Sequence, residues 1–453
     1  MSFFTKIHLT SGWLPVGLYS LTAVGLLLVV ILASSKSRRK PLLTQLAIGL
    51  GGFLIGYLAV WLLSDVFLVF EVSLGWAVML AVAIGFGLAF FLLAAAVQSK
   101  GLRRIISMVT VLLVILSCAL RIDQIYGEYA TVASVLGISD YPNLDLEQVS
   151  PASSDVKSWK TKADQGQLPQ LPDKGIIRSV TIPATESGFK ARKANVYLPP
   201  AALSKTPPRL PVMIMLAGQP GSPDRFFGAS NIAASLDSYA RKHDGLAPIV
   251  VSPDQNGSNT HNTLCADTKV YGNAESYLTK DVTKWVKTYL PVKKSPQAWL
   301  IGGFSQGATC STQLGPAHPD IYGHIYSASG QVAPVDHTRK RTIDRYFDGS
   351  EREYLKHVPA NIMKGKAPLH QTVFTAAGDW DPKSQKDQLA IGKSARASGM
   401  SVTTIVAQDS GHDWHTVNTG LLPQIDRFCQ ETGLGKSTKA LANYPKVRII
   451  SED

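Results

Sequence analysis

Ala298-Trp299-Leu300-Ile301-Gly302-Gly303-Phe304-Ser305-Gln306-Gly307-Ala308-Thr309-Cys310 is the stretch that decides the fold of the larger part of this chain. Ala298 to Ile301 is an apolar run that reads as a buried strand, and Ala308 to Leu314 reads as a helix. Between them, Gly303-Phe304-Ser305-Gln306-Gly307 has the form of a nucleophile elbow. A sharp strand-to-helix turn pushes the serine into a cleft, and the flanking glycines let the backbone bend. The helix start behind the serine offers N–H groups and a positive dipole end to a developing oxyanion.

Outward from the elbow, short apolar runs alternate with helical stretches. Ile176 to Ile182 and Ala194 to Leu198 read as an antiparallel pair with a turn at Glu186-Ser187-Gly188. Val212–Ala217, Pro248–Ser252, Ala298–Ile301, His324–Ala328, Gln371–Ala377 and Val402–Ala407 read as further strands. Helical patterns at Asn231–His243, Ala274–Tyr289, Ala308–Ala317 and Ser384–Ser398 separate most of them. This alternation predicts a mainly parallel, doubly wound sheet whose strand C-terminal ends share one edge, where sites form.

Each chemistry-bearing residue falls just after a predicted strand. A serine hydroxyl needs a base, and Ser410-Gly411-His412-Asp413-Trp414-His415 supplies one after the last strand. His412 is preferred to His415, because Gly411 gives the loop freedom to aim it and Trp414 can pack it. The base needs an acid, and Gly378-Asp379-Trp380-Asp381-Pro382 offers two. Asp381 is preferred, with Asp379 as the alternative acid or a brace for the loop; either can instead cap the following helix. Backbone N–H groups of Gln306 and of Gln219, in the loop after the third strand, are the expected oxyanion donors, since Pro220 has none. His261, His318 and His337 read as rim or loop residues.

The chain has 453 residues and splits into unlike parts. Four apolar segments, Trp13–Ala33, Leu42–Leu63, Gly75–Val97 and Ile105–Leu120, come first. Three have the roughly 20 residues a bilayer needs, and the fourth has length to borrow at either end. No small-residue cleavage site follows the first, which therefore reads as a retained span. Gly52 and Gly56 are spaced for close helix packing, read as packing within one bundle rather than between copies. Lys36, Arg38, Arg39 and Lys40 in one loop and Lys100, Arg103 and Arg104 in another are set against Asp65 and Glu71 in the loop between; Lys6 opposes slightly. The positive-inside rule puts the basic loops in the cytoplasm and the C-terminal part outside. Residues 1–120 are thus read as a four-helix transmembrane domain, 121–174 as a loose, proline-punctuated connector whose Ile122–Leu136 forms a helix, and 175–453 as the catalytic domain.

The net charge of +12 favours anionic lipid or wall polymer over nucleic acid, for which no aromatic-interleaved basic motif exists. None of the four cysteines forms a zinc-type spacing with histidine, so neither metal nor cofactor is expected.

The three motifs Gly303–Gly307, Gly378–Asp381 and Gly411–Trp414, in the order Ser, Asp, His, resemble the esterase branch of the α/β-hydrolases. That branch holds esterase D (S-formylglutathione hydrolase), enterochelin esterases and mycolyltransferases of the antigen 85 type. The resemblance covers roughly residues 175–430, and the whole layout is similar to membrane-anchored esterases of actinobacteria. It implies an α/β-hydrolase domain, action on an ester or thioester, and Ser305, His412 and Asp381 as catalytic residues. In such a fold the loop carrying Cys265 runs beside the helix carrying Cys310, which implies a Cys265–Cys310 disulfide with Cys429 left free. The expected activity is hydrolysis of an acyl or aminoacyl ester of an envelope lipid or glycan. Acyl transfer to an envelope hydroxyl and a non-catalytic envelope-binding role are the alternatives.

Overall fold

In the computed structural model, residues 7–33, 39–67, 69, 72–136, 138, 141–436 and 439–452 are described. Lys6, Lys36, Arg38 and Glu71, used above for orientation, lie outside them. The chain divides into two compact units, Met1–Ile138 with Gly411–Asp413, and Ser139–Ser410 with Trp414–Asp453.

The first unit is built on four helices, α1 (Trp13–Ile31), α2 (Arg39–Trp61), α3 (Trp76–Val97) and α4 (Leu102–Tyr126), each with a span long and apolar enough to cross a membrane. The fourth gains length at both ends of its apolar segment. It stops at Gly127, whose φ of +68° closes the helix in the left-handed region. The expected helix over Ile122–Leu136 is therefore two pieces, the end of α4 and a single turn at Val132–Val135. A Cβ on Gly52 would meet the Phe90 Cβ at 2.7 Å, and one on Gly56 would meet the Phe86 Cβ at 2.7 Å. The glycine pair thus lets α2 approach α3 of the same chain. Arg103 is not a loop charge: it lies in the first turn of α4 and is buried. Its guanidinium donates to the Val29 carbonyl at 3.1 Å and to Gln45 at 2.8 Å, while Gln45 donates to Gln98 at 3.0 Å. One polar knot therefore joins all four helices, which satisfies groups that lipid cannot.

In the second unit, residues near the start are irregular but docked. Trp159, on α5 (Val156–Asp164), is fully buried and its indole N–H donates to the Asp244 carbonyl at 3.0 Å. Tyr141 packs edge-on against Phe227. Large aromatic anchors hold this backbone down.

Among the described residues, nine strands form one sheet. They are β1 (Ile176–Val180), β2 (Ala194–Leu198), β3 (Val212–Leu216), β4 (Ile249–Ser252), β5 (Trp299–Phe304), β6 (His324–Ala328), β7 (Thr372–Gly378), β8 (Ser401–Ala407) and β9 (Val447–Glu452). Their order is β1-β2-β4-β3-β5-β6-β7-β8-β9. Strands β4, β3, β5, β6, β7 and β8 are mutually parallel; β1 and β2 extend one edge and β9 the other in antiparallel fashion. Parallel neighbours need crossovers. Helices α6 (Ile232–Lys242), α7 (Val282–Tyr289), α8 (Gln306–Ala317) and α9 (Pro382–Ala397) lie in them, and α10 (Trp414–Glu431) leads to β9. The central strands are buried throughout, which is why they read as continuous apolar runs. From β3 the chain steps to β4 on one side and then to β5 on the other. That reversal makes the C-terminal ends of β3 and β5 a topological switch point.

Candidate active site

Ser305 stands at that switch point. It takes φ +54° and ψ −116°, a conformation L-residues adopt only when held there. What holds it is on both sides. A Cβ on Gly303 would lie 2.5 Å from the Gly307 carbonyl carbon, and one on Gly307 would lie 2.3 Å from the Leu216 carbonyl oxygen. No side chain fits in either place, so the elbow's two glycines are steric necessities. The Ser305 N–H donates to the Ala328 carbonyl at the end of β6 at 2.9 Å. Helix α8 opens directly at Gln306, two residues before the predicted start, so its first N–H groups stand immediately behind the serine.

The loop after β3 passes alongside. A Cβ on Gly218 would be 3.5 Å from the Ser305 Cβ. Gln219, the next residue, is half-buried and precedes Pro220.

The loop after β4 supplies polar groups that sequence reading did not single out. Asp254, fully buried, accepts from the Arg192 backbone N–H at 2.6 Å, from its Nε at 2.9 Å and from its second guanidinium nitrogen at 2.8 Å. The Gln255 and Asn256 carboxamides are buried and engage the Gln306 side chain. The readable signal was Asp254-Gln255-Asn256-Gly257, a polar run starting two residues past the end of β4 at Ser252. Further along this loop Cys265 is disulfide-bonded to Cys310 of α8, the pairing expected above; Cys429 is free and buried, and burial pushes its thiol up. Leu264 and Ala266 also join Tyr346, Phe347 and Tyr354 in a small apolar cluster that anchors the excursion between β6 and β7.

The acid loop after β7 is tied to the histidine loop after β8. The Asp379 N–H donates to the Ala407 carbonyl at 2.9 Å, the Trp380 N–H donates to the Ser410 carbonyl at 2.9 Å, and the Asp379 carboxylate accepts the Ser410 N–H at 3.1 Å. Asp379 thus braces the loop. Asp381 is buried and accepts the Ser384 N–H at 3.0 Å, so it also caps α9. His412 is half-buried and lies between two fixed points of the chain. One is Ser410, bound to the acid loop. The other is Trp414, whose ring sits 5.1 Å from that of Phe304, the residue before the nucleophile, and 5.6 Å from Phe226. Trp414 therefore seats the start of α10 against the elbow. His415 is exposed.

The three other histidines considered from the sequence lie elsewhere. His318, at the far end of α8, meets Glu275 at 2.9 Å, His261 stacks on Tyr271 with centroids 4.2 Å apart, and His337 is exposed. Among the described residues no group of His, Cys, Asp or Glu has the arrangement of a metal site.

A mainly parallel sheet in this order, with a strained serine between two glycines at the end of β5, defines an α/β-hydrolase. A family model described as "Putative esterase" matches residues 188–421, and the chain belongs to that esterase family. It is a serine hydrolase acting on ester bonds. It is 29% identical over 359 residues to an uncharacterized protein of Corynebacterium glutamicum, covering 77% of this chain and 81% of that one. Solved structures similar to it include a ferulic acid esterase (TM-score 0.49, 16% identity, 57% of this chain and 98% of that one). An S-formylglutathione hydrolase from Agrobacterium tumefaciens is similar too (TM-score 0.46, 15% identity, 58% of this chain and 98% of that one).

Proposed function

We propose that the chain is a membrane-anchored esterase whose catalytic domain faces away from the cytoplasm and cleaves an acyl or aminoacyl ester of an envelope lipid or glycan. The strained Ser305 carries this reading: a protein keeps a serine in that conformation, between glycines that admit no side chain, for reactivity rather than stability. Ser305 Oγ attacks the ester carbonyl as His412 takes its proton. The Gln306 and Gln219 N–H groups receive the oxyanion. The C–O bond to the alcohol breaks, the alcohol leaves with the proton from His412, and an acyl-enzyme remains. Water then attacks, gives its proton to His412, and the acid and Ser305 are released. Asp381 holds the imidazole in the right tautomer. The outward orientation is supported by the exposed basic residues Lys100, between α3 and α4, and Arg104, in the first turn of α4, and by a disulfide, which persists in oxidising compartments. The substrate class rests on the anchor, which confines the domain to the envelope.

A fluorophosphonate probe on the full-length protein in detergent tests the nucleophile. Labelling at Ser305, abolished in Ser305→Ala and strongly slowed in His412→Ala, is expected; labelling that survives Ser305→Ala rejects it. Labelled donor ester supplied with water and with envelope glycans as acceptors distinguishes hydrolysis from transfer, since transfer moves label onto the glycan.

A further inference from the structure

We infer that Gln255, with the Arg192–Asp254 pair beside it, is a positioning device that sets the spacing of the oxyanion hole; this rests on the reading of Ser305 and its two N–H donors above. The hole is assembled from separate segments. One donor belongs to the first residue of α8, the other to the loop 217–221 after β3. Strand pairing between β3 and β5 ends at Leu216 and Gly303, below both donors. Nothing in the sheet ladder therefore fixes the distance between them, and oxyanion stabilisation tolerates only a few tenths of an ångström of error.

The Gln255 carboxamide spans the gap. Its single Nε2 carries two hydrogens and uses both. One goes to the Ala217 carbonyl at 2.7 Å, at the root of the β3 loop, and the other to the Gln306 Oε1 at 3.2 Å. The Gln306 side chain is held in place in turn. It accepts from Asn256 Nδ2 at 3.2 Å, and its own Nε2 donates to Asn256 Oδ1 at 2.9 Å and Asn262 Oδ1 at 3.3 Å. The far end of the β3 loop is tied from the same place. Arg192 donates to the Gly221 carbonyl at 3.0 Å while its guanidinium is locked on Asp254. Asp254 also receives the Asn256 N–H at 3.1 Å and the Gly257 N–H at 3.1 Å, so the β4 loop cannot drift. Both ends of the segment carrying Gln219 are thus fastened to residues 254–256, which also grip the residue after the nucleophile. Gln255 and Asp254 are buried and Arg192 and Gln306 are half-buried, so these bonds are largely sheltered from solvent.

The test uses full-length protein in detergent, p-nitrophenyl butyrate as substrate and an alkyl boronic acid as mimic of the tetrahedral intermediate. Gln255→Met keeps length and packing and removes both hydrogen bonds. Expected is a kcat lower by about 10- to 100-fold, less than the 10²–10³ of deleting a donor outright, with KM held within about twofold. The boronate Ki should rise by the same factor as kcat falls. A merely structural role would not make a transition-state mimic and kcat move together while KM stays. Unchanged kcat, or a fall in kcat that the boronate does not follow, overturns the proposal. Arg192→Lys, which keeps the charge but cannot hold Asp254 and Gly221 at once, gives the same reading if Gln255→Met does not fold. A parent protein that neither turns over the ester nor takes the fluorophosphonate at Ser305 rejects the nucleophile itself, and the clamp with it. A parent active through Ser305 beside an indifferent Gln255→Met rejects the clamp alone.

Discussion

The helical bundle and the sheet domain bury opposite things. In the bundle, large apolar side chains such as Leu27, Leu50, Leu54, Leu112 and Ile115 point outward, while Gln45, Arg103, Ser107 and Thr110 are buried. In the sheet domain Val212 to Leu216 and Trp299 to Ile301 are fully buried, and the buried polar groups include Asp254, Gln255 and Asn256 beside the candidate site. The same chain follows one rule in both places: each group goes where its solvent is absent or its partner present. The difference lies in what the buried polar groups do. In the bundle they lock helices together. In the domain, Gln255 links the loop after β3 to the residue that follows Ser305.

Four measurements sharpen or break that contrast. The largest effect is expected at Ser305. Ser305→Ala should lower ester turnover by on the order of 10⁴-fold or more with thermal stability little changed, since alanine keeps the Cβ and with it the positive φ strain. Turnover retained would move the chemistry elsewhere.

Next is Gly307→Ala. Its Cβ meets backbone, the Leu216 oxygen at 2.3 Å, and backbone in a central parallel strand cannot step aside. A loss of about 3 kcal/mol or more is expected, the upper end of overpacking costs, read by denaturant unfolding, together with loss of turnover. Gly52→Ala in the bundle meets chiefly the Phe90 side chain at 2.7 Å, with the Phe86 carbonyl oxygen at 3.1 Å, and helices can shift against one another. About 1–2 kcal/mol, with kcat unaffected, is the expected outcome; equal effects at the two glycines would erase the distinction.

Arg103→Met should weaken the bundle by about 1–3 kcal/mol, the cost of leaving buried partners unsatisfied, and leave kcat alone. A change in kcat would mean the bundle does more than anchor.

The smallest effect is pH-dependent. Burial pushes the Asp281 carboxyl up, but hydrogen bonds from Ser187, from the Glu186 N–H and from the Thr185 hydroxyl outweigh it and hold it below its ordinary value. A depressed folded-state value means that the stabilisation is full above the unfolded carboxylate range, about pH 4, and is lost as pH falls through the folded value. Asp281→Asn should therefore lower Tm by a few degrees at pH 7, and the gap to the parent should close in acid. A gap that stays constant with pH would assign the effect to packing instead.

Much of the candidate site was legible because its parts follow strands. The elbow, the two aspartates and His412 each sit at a strand C-terminal end, and alternating strand and helix places those ends along one edge. The disulfide was foreseen from the fold resemblance, since it joins two segments that such a fold sets side by side. Less visible were β9, whose half-buried alternation gives only a weak pattern for an edge strand, and Arg103, which looked like a loop charge because an arginine in the first turn of a helix has the same letter as one outside. Least visible was the clamp. Arg192, Asp254 with Gln255, and Gln306 come from three separate stretches, and a buried carboxamide has no periodicity to betray it.

By itself the sequence determined which segments suit lipid, which form strands, and which residues stand at the strand ends, because hydropathy, periodicity and turn chemistry are local properties of a chain. Only the tertiary structure decided that Asp379 braces the histidine loop, that Trp414 seats against Phe304, and that one amide nitrogen bridges Ala217 and Gln306. Those are matters of a few ångströms between residues far apart in sequence. Such distances exist only once crossovers have stacked the strands and the core has closed around them.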